Sequence, residues 1–320
     1  MKGNDSSLRR LRRYTMILLG LWLGVIAILL TYQVFLGEDP NLDQLIFWQI
    51  RFPKVWAATA MGMALAAAGL LLQTYFNNYL ADPFVLGVQS GASLMVALFL
   101  VLGGANSVAG LMGAAWPGAL LVMLLLWMAA RRLSKTAILI LGLFFSYIAS
   151  SGINILLSMA PDTILRQFLL WSFGSFARFP LGVVWPWLLL LTLLSLTTLW
   201  LAQPLNILQL GEMTAQSLGV NLKRLKWQIL LITSLLAALA TALCGPIIFL
   251  GMAAPMYARF LLKTSNHRQL LPFSMLLGAL LANGAELINF ALPQFNLPLN
   301  SLLGLMGIPV LFLIWRIRKV

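Results

Sequence analysis

Apolar runs of span length recur along this chain, separated by short segments in which lysine and arginine gather. No other feature restricts its fold so tightly. A helix needs about 20 mostly apolar residues to cross the hydrocarbon core of a bilayer, and inside that core only helices and closed barrels satisfy their own backbone hydrogen bonds. The runs are continuous and do not alternate with a period of two, which excludes a transmembrane barrel. Ten spans are predicted, over residues 14–36, 55–75, 88–103, 107–130, 137–159, 183–202, 228–248, 249–263, 271–291 and 300–316. Only 9% of the residues are charged, where a soluble domain carries about 25%. The expected class is an all-α polytopic membrane protein, with one transmembrane domain over 1–320.

The net charge of +13 would suggest a nucleic-acid partner in a soluble protein. Its distribution excludes that reading, because the bases fall in every second loop. With ten spans and both termini cytoplasmic, seventeen of the 21 lysines and arginines lie inside, and only Arg51, Lys54, Arg166 and Arg178 lie outside. That is the positive-inside bias, a signal of topology. The run from about Tyr14 to Phe35 is too long for a signal-peptide core and has no small-x-small cleavage site, so it reads as the first span. The single cysteine, Cys244, rules out a disulfide framework or cysteine metal cluster and reads as packing. The single histidine, His267, falls in a basic loop and reads as solvated.

The spans differ in character. Ala60 to Gly69 is almost entirely small residues, which lets helix backbones approach closely in lipid. Gly245-Pro246 and Pro255 are places where a helix must break or kink, and freed backbone at membrane depth points to the bundle interior. Tyr147, Ser151, Asn154 and Ser158 form one polar stripe at helical spacing, open to two readings, interhelical hydrogen bonding or a pathway wall. Leu210 to Val220 reads as a short helix, with Glu212 in its first turn where a negative charge suits the dipole and Gly219 as a left-handed stop. Arg51 and Lys54 read as the start of a helix, where positive charge costs about 0.3–1 kcal/mol each. Glu286 is the one carboxylate read within a span, and an intramembrane acid is a functional candidate. The P-loop pattern Gly-x-x-x-x-Gly-Lys-Ser/Thr is absent from the sequence.

These blocks, in this order, resemble the FecCD family, the permeases of ABC importers for iron–siderophore, haem and cobalamin. The resemblance rests on Arg51, Pro53, Gly62, Leu65, Gly69, Gln73, Asn78, Leu80, Ala81, Pro83, Gly87, Gly91 and Ala92. It continues through the Leu-Gly-Glu-x-x-Ala-x-x-Leu-Gly-Val string from Leu210, the Gly245–Arg259 block, Asn266-His267-Arg268 with Pro272, and Gly307-Ile308-Pro309. Lys54 stands where a second Arg is usual, Tyr79 where a Pro is usual and Met256 where a His is usual. Glu286 and Phe290 replace the family's Asp and Arg.

The resemblance implies a cobalamin-importer-permease-like bundle that moves an iron–siderophore or similar metal chelate from an external binding protein into the cytoplasm by alternating access. The chain would be no enzyme and hold no cofactor, with ATP and magnesium on a partner ABC ATPase. Its surroundings would be a second permease copy in a homodimer, membrane lipid, and the cytoplasmic (inner or plasma) membrane of a bacterium or archaeon. By the same resemblance the loop of about 203–227 couples to the ATPase through Leu210, Gly211, Glu212, Ala215, Leu218, Gly219 and Val220. Arg51 and Lys54 would meet the binding protein. Asn78, Leu80, Ser134, Lys135 and Thr136 would form the cytoplasmic gate. Tyr147, Ser151, Asn154 and Ser158, with Ser301, Gly304 and Gly307, would line the pathway. The alternative is an ion-coupled secondary transporter, which needs acids or histidines at mid-membrane. A membrane enzyme would need paired carboxylates, a metal cluster or a nucleophile with its base, and none is visible.

Overall fold

The computed structural model describes residues 2–31, 44–104, 107–176, 184–295 and 297–317. Residues 32–36 and 183 of the expected spans, with Arg178, Arg318 and Lys319, lie outside the described residues. Regular structure among the described residues is helical: α1 (Lys2–Thr31), α2 (Phe52–Phe76), α3 (Val88–Val101), α4 (Val108–Ala130), α5 (Lys135–Ser158), α6 (Asp162–Ser172), α7 (Val184–Thr197), α8 (Ala202–Leu208), α9 (Glu212–Ser217), α10 (Leu222–Cys244), α11 (Leu250–Leu262), α12 (His267–Ala291) and α13 (Leu299–Ile317). Among the described residues, seven helical segments are long and apolar enough to cross a bilayer, and three shorter apolar helices fall at the remaining predicted segments.

The bundle is built around α2. A π-helical turn, Phe47–Arg51, leads into it without a break, so that one 33-residue helical segment runs from Gln44 to Phe76. Arg51 and Lys54 therefore do not start a helix. The dipole cost expected for them does not apply, because that effect dies away within the first turn. Residues 57–73 of α2 are buried almost without exception, as a helix that is apolar all round should be. α12, α10, α11 and α7 surround it. The small residues permit this: a Cβ added at Gly62 would fall on the Gly278 backbone of α12, and one at Gly69 on the Gly251 carbonyl of α11. Without hydrophobic drive between helices in lipid, such close contact supplies the packing energy. A buried polar tie reinforces it, Asn283 Nδ2 donating to Thr59 Oγ1 at 3.0 Å.

α10 begins six residues before the expected 228, because Asn221 caps it, its Oδ1 accepting from the Arg224 amide at 3.0 Å. Lys223, Arg224 and Lys226 thus lie in the first turns of a helix. The expected break falls at Gly245–Phe249, where Gly245 (φ +80°) and Phe249 (φ +70°) leave helical geometry. Pro255, also expected to interrupt, lies inside α11 without ending it. Asn300 satisfies the freed backbone at the break. Its Nδ2 donates to the carbonyls of Pro246 (2.7 Å) and Ser172 (2.9 Å), and its Oδ1 accepts from the Ile248 amide (3.3 Å).

His267 corrects the sequence reading. It opens α12 and is fully buried, with Nε2 2.7 Å from Thr74 Oγ1 and Nδ1 2.9 Å from Asn206 Oδ1. The loop expectation fails because the sixth apolar segment runs through a 3₁₀ turn at Thr198–Leu201 into α8, which packs on α12 and brings Asn206 onto the ring.

Candidate functional site

Three groups of sequence-marked residues gather at one end of the bundle, beyond the last turn of α2. The first is α9. Gly211 (φ +104°) and Gly219 (φ +84°) flank it with backbone that only glycine adopts without strain, and Glu212 opens it as expected. Ala215 is buried and Val220 partly so, which pins the loop to the bundle. Leu210, Met213 and Leu218 point away, 63%, 88% and 58% exposed. Three large apolar side chains are thus exposed together on one six-residue helix and its flanks, with polar residues around them.

The second group is the turn after α2. Asn77 ends the helix in the left-handed region, and Asn78 Oδ1 accepts from the Leu80 amide at 3.0 Å, an Asx turn. Leu80 and Tyr79 are exposed. The Arg259 guanidinium lies 5.0 Å over the Tyr79 ring and also donates to Gln73 Oε1. Tyr79, at the position of the family's proline, therefore fastens this turn to α11 by a cation–π contact.

The third group is the start of α5. Ser134 caps it, its Oγ accepting from the Ala137 amide at 3.3 Å. Thr136 is exposed, and Lys135 pairs with Glu212 at 2.6 Å. A cavity of about 290 Å³ joins the three groups, lined by Gln73, Tyr79, Lys135, Glu212 and Arg259 among others.

Asp82, which the sequence analysis did not single out, is buried beneath the turn. Its Oδ1 accepts from the Phe84 amide at 2.8 Å. Burial pushes its carboxyl above the usual range to about 6, against the opposing hydrogen bonds from the Phe84 and Met252 backbone. A carboxyl raised in the folded state makes folding less favourable as pH climbs from the unfolded value through 6. Asp82→Asn keeps the acceptor for Phe84 and removes the charge. It is expected to raise the thermal unfolding midpoint at pH 8, with the gain shrinking as pH falls through 6 and vanishing only below the unfolded value of 3.8.

The pathway candidates divide. Tyr147, Ser151, Asn154 and Ser158 are all exposed on the isolated chain, and Ser158 Oγ donates to the Ile155 carbonyl at 2.9 Å. Of the four, Tyr147 alone lines the 470 Å³ cavity between α3, α5, α6 and the 245–249 break. That cavity is edged by Ser90, Ser93, Ser146, Ser150 and Asn300, residues the stripe on α5 did not reveal. On α13, Ser301 is exposed, whereas Gly304 and Gly307 seat the Phe249 ring. Asn300 was findable as a polar residue opening a span; the serines of α3 were not, because a lone serine in an apolar run most often bonds its own helix, as Ser93 does to the Gln89 carbonyl.

At the opposite end, Lys54 Nζ lies 2.7 Å from Glu286 Oε2, and Glu286 is buried. Two of the sequence-marked charges thus satisfy one another across α2 and α12. The Arg51 Nε and Nη1 are buried and make no hydrogen bond among the described residues. Phe47, Trp48, Phe52 and Trp185 stack around this end of α2, as aromatic side chains do at a membrane–water boundary. No group of three or more His, Cys, Asp or Glu that could hold a metal occurs among the described residues.

Comparison with known proteins bears on the whole chain. The sequence profile of the FecCD transport family matches residues 14–317. The vitamin B12 import system permease protein BtuC of Vibrio cholerae is 36% identical over 97% of this chain and 95% of its own length. The hemin transport system permease protein HmuU of Yersinia pestis is 33% identical over 92% of this chain and 89% of its own. A solved inward-facing conformation of a metal-chelate type ABC transporter superposes with a TM-score of 0.86 at 26% identity, covering 95% of this chain and 99% of that one. The chain therefore belongs to the FecCD transport family and is the permease subunit of an ABC importer, not its ATPase.

Proposed function

We propose that this permease carries a metal chelate into the cytoplasm, driven by a separate ATPase that docks on α9. One observation carries the reading: the exposed Leu210, Met213 and Leu218 stand on a helix flanked by two left-handed glycines, beside both candidate gate segments. In this reading the coupling loop spans about 203–227 of a single permease domain, and both termini are cytoplasmic. The gate comprises Asn78, Leu80, Ser134, Lys135 and Thr136. The exposed polar stripe of α5 and Ser301 face a second copy across the pathway, because polar side chains open to lipid are costly. An extracytoplasmic binding protein lands near Arg51 and Lys54.

The named relatives, one for vitamin B12 and one for hemin, support a bulky metal-bearing ring or comparable chelate, and iron–siderophore is the third candidate. The ion-coupled alternative is disfavoured by Glu286, whose carboxylate is already paired with Lys54. The cargo is tested by uptake of labelled cyanocobalamin, hemin and a ferric siderophore into proteoliposomes holding the permease, its ATPase and its binding protein. One of the three is expected to accumulate and to resist competition by the others. Accumulation of none would contradict the cargo class.

A further inference from the structure

α9 and α5 belong to different parts of the bundle. α9 packs on α8 and α10, whereas α5 packs on α3 and α4. The ion pair between Glu212, the first residue of α9, and Lys135, the first residue of α5, spans the gap at 2.6 Å. Lys135 also lies 4.7 Å from the Tyr75 ring centroid at the end of α2, so the ammonium of an α5 residue touches two other helices. A second lysine, Lys226 of α10, donates to the Ala130 and Leu133 carbonyls of the segment leading into α5, which holds that segment against the helix that follows α9.

Helix dipoles do not account for Lys135. A positive charge in a first turn is unfavourable, while Glu212 is well placed in its own first turn. The pair is half-exposed, with side-chain exposures of 28% and 55%, so it adds little to stability and forms and breaks readily. What it provides is a direct side-chain link from the ATPase-docking helix to the helix that carries the polar stripe.

We propose that Glu212 and Lys135 are positioning residues that transmit displacement of α9 to α5. This rests on the reading that α9 receives the ATPase.

The test uses the full complex in nanodiscs, with a Ser151→Cys label site on the exposed face of α5; the native Cys244 is buried. Maleimide labelling of that site is compared without nucleotide and with ATP and vanadate. In the parent, the rate is expected to change by about fivefold or more, the lower end of coupling between linked sites. Lys135→Glu or Glu212→Lys alone should reduce the change to near none, and the exchanged pair should restore most of it, the cycle isolating the pairwise interaction. Should Glu212→Lys fail to co-purify with the ATPase, Glu212→Gln and Lys135→Met replace the reversals, each expected to lose the change. A parent whose labelling ignores nucleotide would refute the docking reading, and the transmission role with it. A parent that responds, with single variants that respond equally or an exchanged pair that does not recover, would overturn the transmission role alone.

Discussion

Alanine at Gly69 is expected to remove folded permease from the membrane almost completely. The added Cβ would fall on the carbonyl of Gly251, and backbone of a packed helix cannot rotate aside as the tip of a side chain can. Relief requires α2 and α11 to separate, which would also pull Gln73 Nε2 from the Met252 carbonyl it reaches at 3.3 Å. Overpacking a well-filled core costs about 1–3 kcal/mol and occasionally more; a backbone-on-backbone clash at the crossing of two central helices belongs at the upper end. Net stability of a folded chain is only about 5–15 kcal/mol. The same change at Gly20 of α1, where nothing lies within reach of a Cβ, supplies the control and should leave yield unchanged. Size-exclusion recovery of the two variants from detergent extracts decides the matter.

The second large effect concerns association. Aspartate at Leu210, Met213 and Leu218 together should leave the permease folded, because all three side chains are exposed, and should abolish co-purification of the ATPase. Full burial of one such side chain contributes about 1.5–3 kcal/mol. Half of that sum over three positions, about 2–4.5 kcal/mol, is about fortyfold to a thousandfold in affinity at about 1.4 kcal/mol per tenfold. Ala215→Asp gives the contrasting case, since Ala215 faces the bundle and its replacement should disturb the loop itself. A triple variant that still captures the ATPase at wild-type yield would remove α9 from the coupling surface.

Much of this was legible in the sequence because lipid imposes simple rules. Continuous apolar runs located an apolar helix at each of the ten predicted segments, seven of them long enough to cross a bilayer, and the Ala60–Gly69 stretch announced the tight crossing that Gly62 and Gly69 make. α9 was read with Glu212 at its start and Gly219 at its stop, since both depend on local backbone chemistry. What escaped depends on partners far away in the chain. Arg51 and Lys54 looked like a helix start because Phe47 to Arg51 carries no helical signal strong enough to extend α2 outward. The pairing of Lys54 with Glu286, and of Lys135 with Glu212, joins residues that only the folded bundle brings together. His267 looked solvated because its neighbours Asn266 and Arg268 are polar, yet α8 covers it. α6 was missed because an eleven-residue segment is too short to register as a span.

The most direct test of the account is the energy source for uptake. The permease, its ATPase and its binding protein are reconstituted in proteoliposomes, and cargo accumulation is followed with ATP, with ATP and vanadate, and with an imposed proton or sodium gradient in place of ATP. The account predicts accumulation with hydrolysable ATP only, stopped by vanadate and lost when the α9 surface carries the three aspartates. Accumulation driven by either ion gradient without ATP, and indifferent to the aspartates, would contradict it.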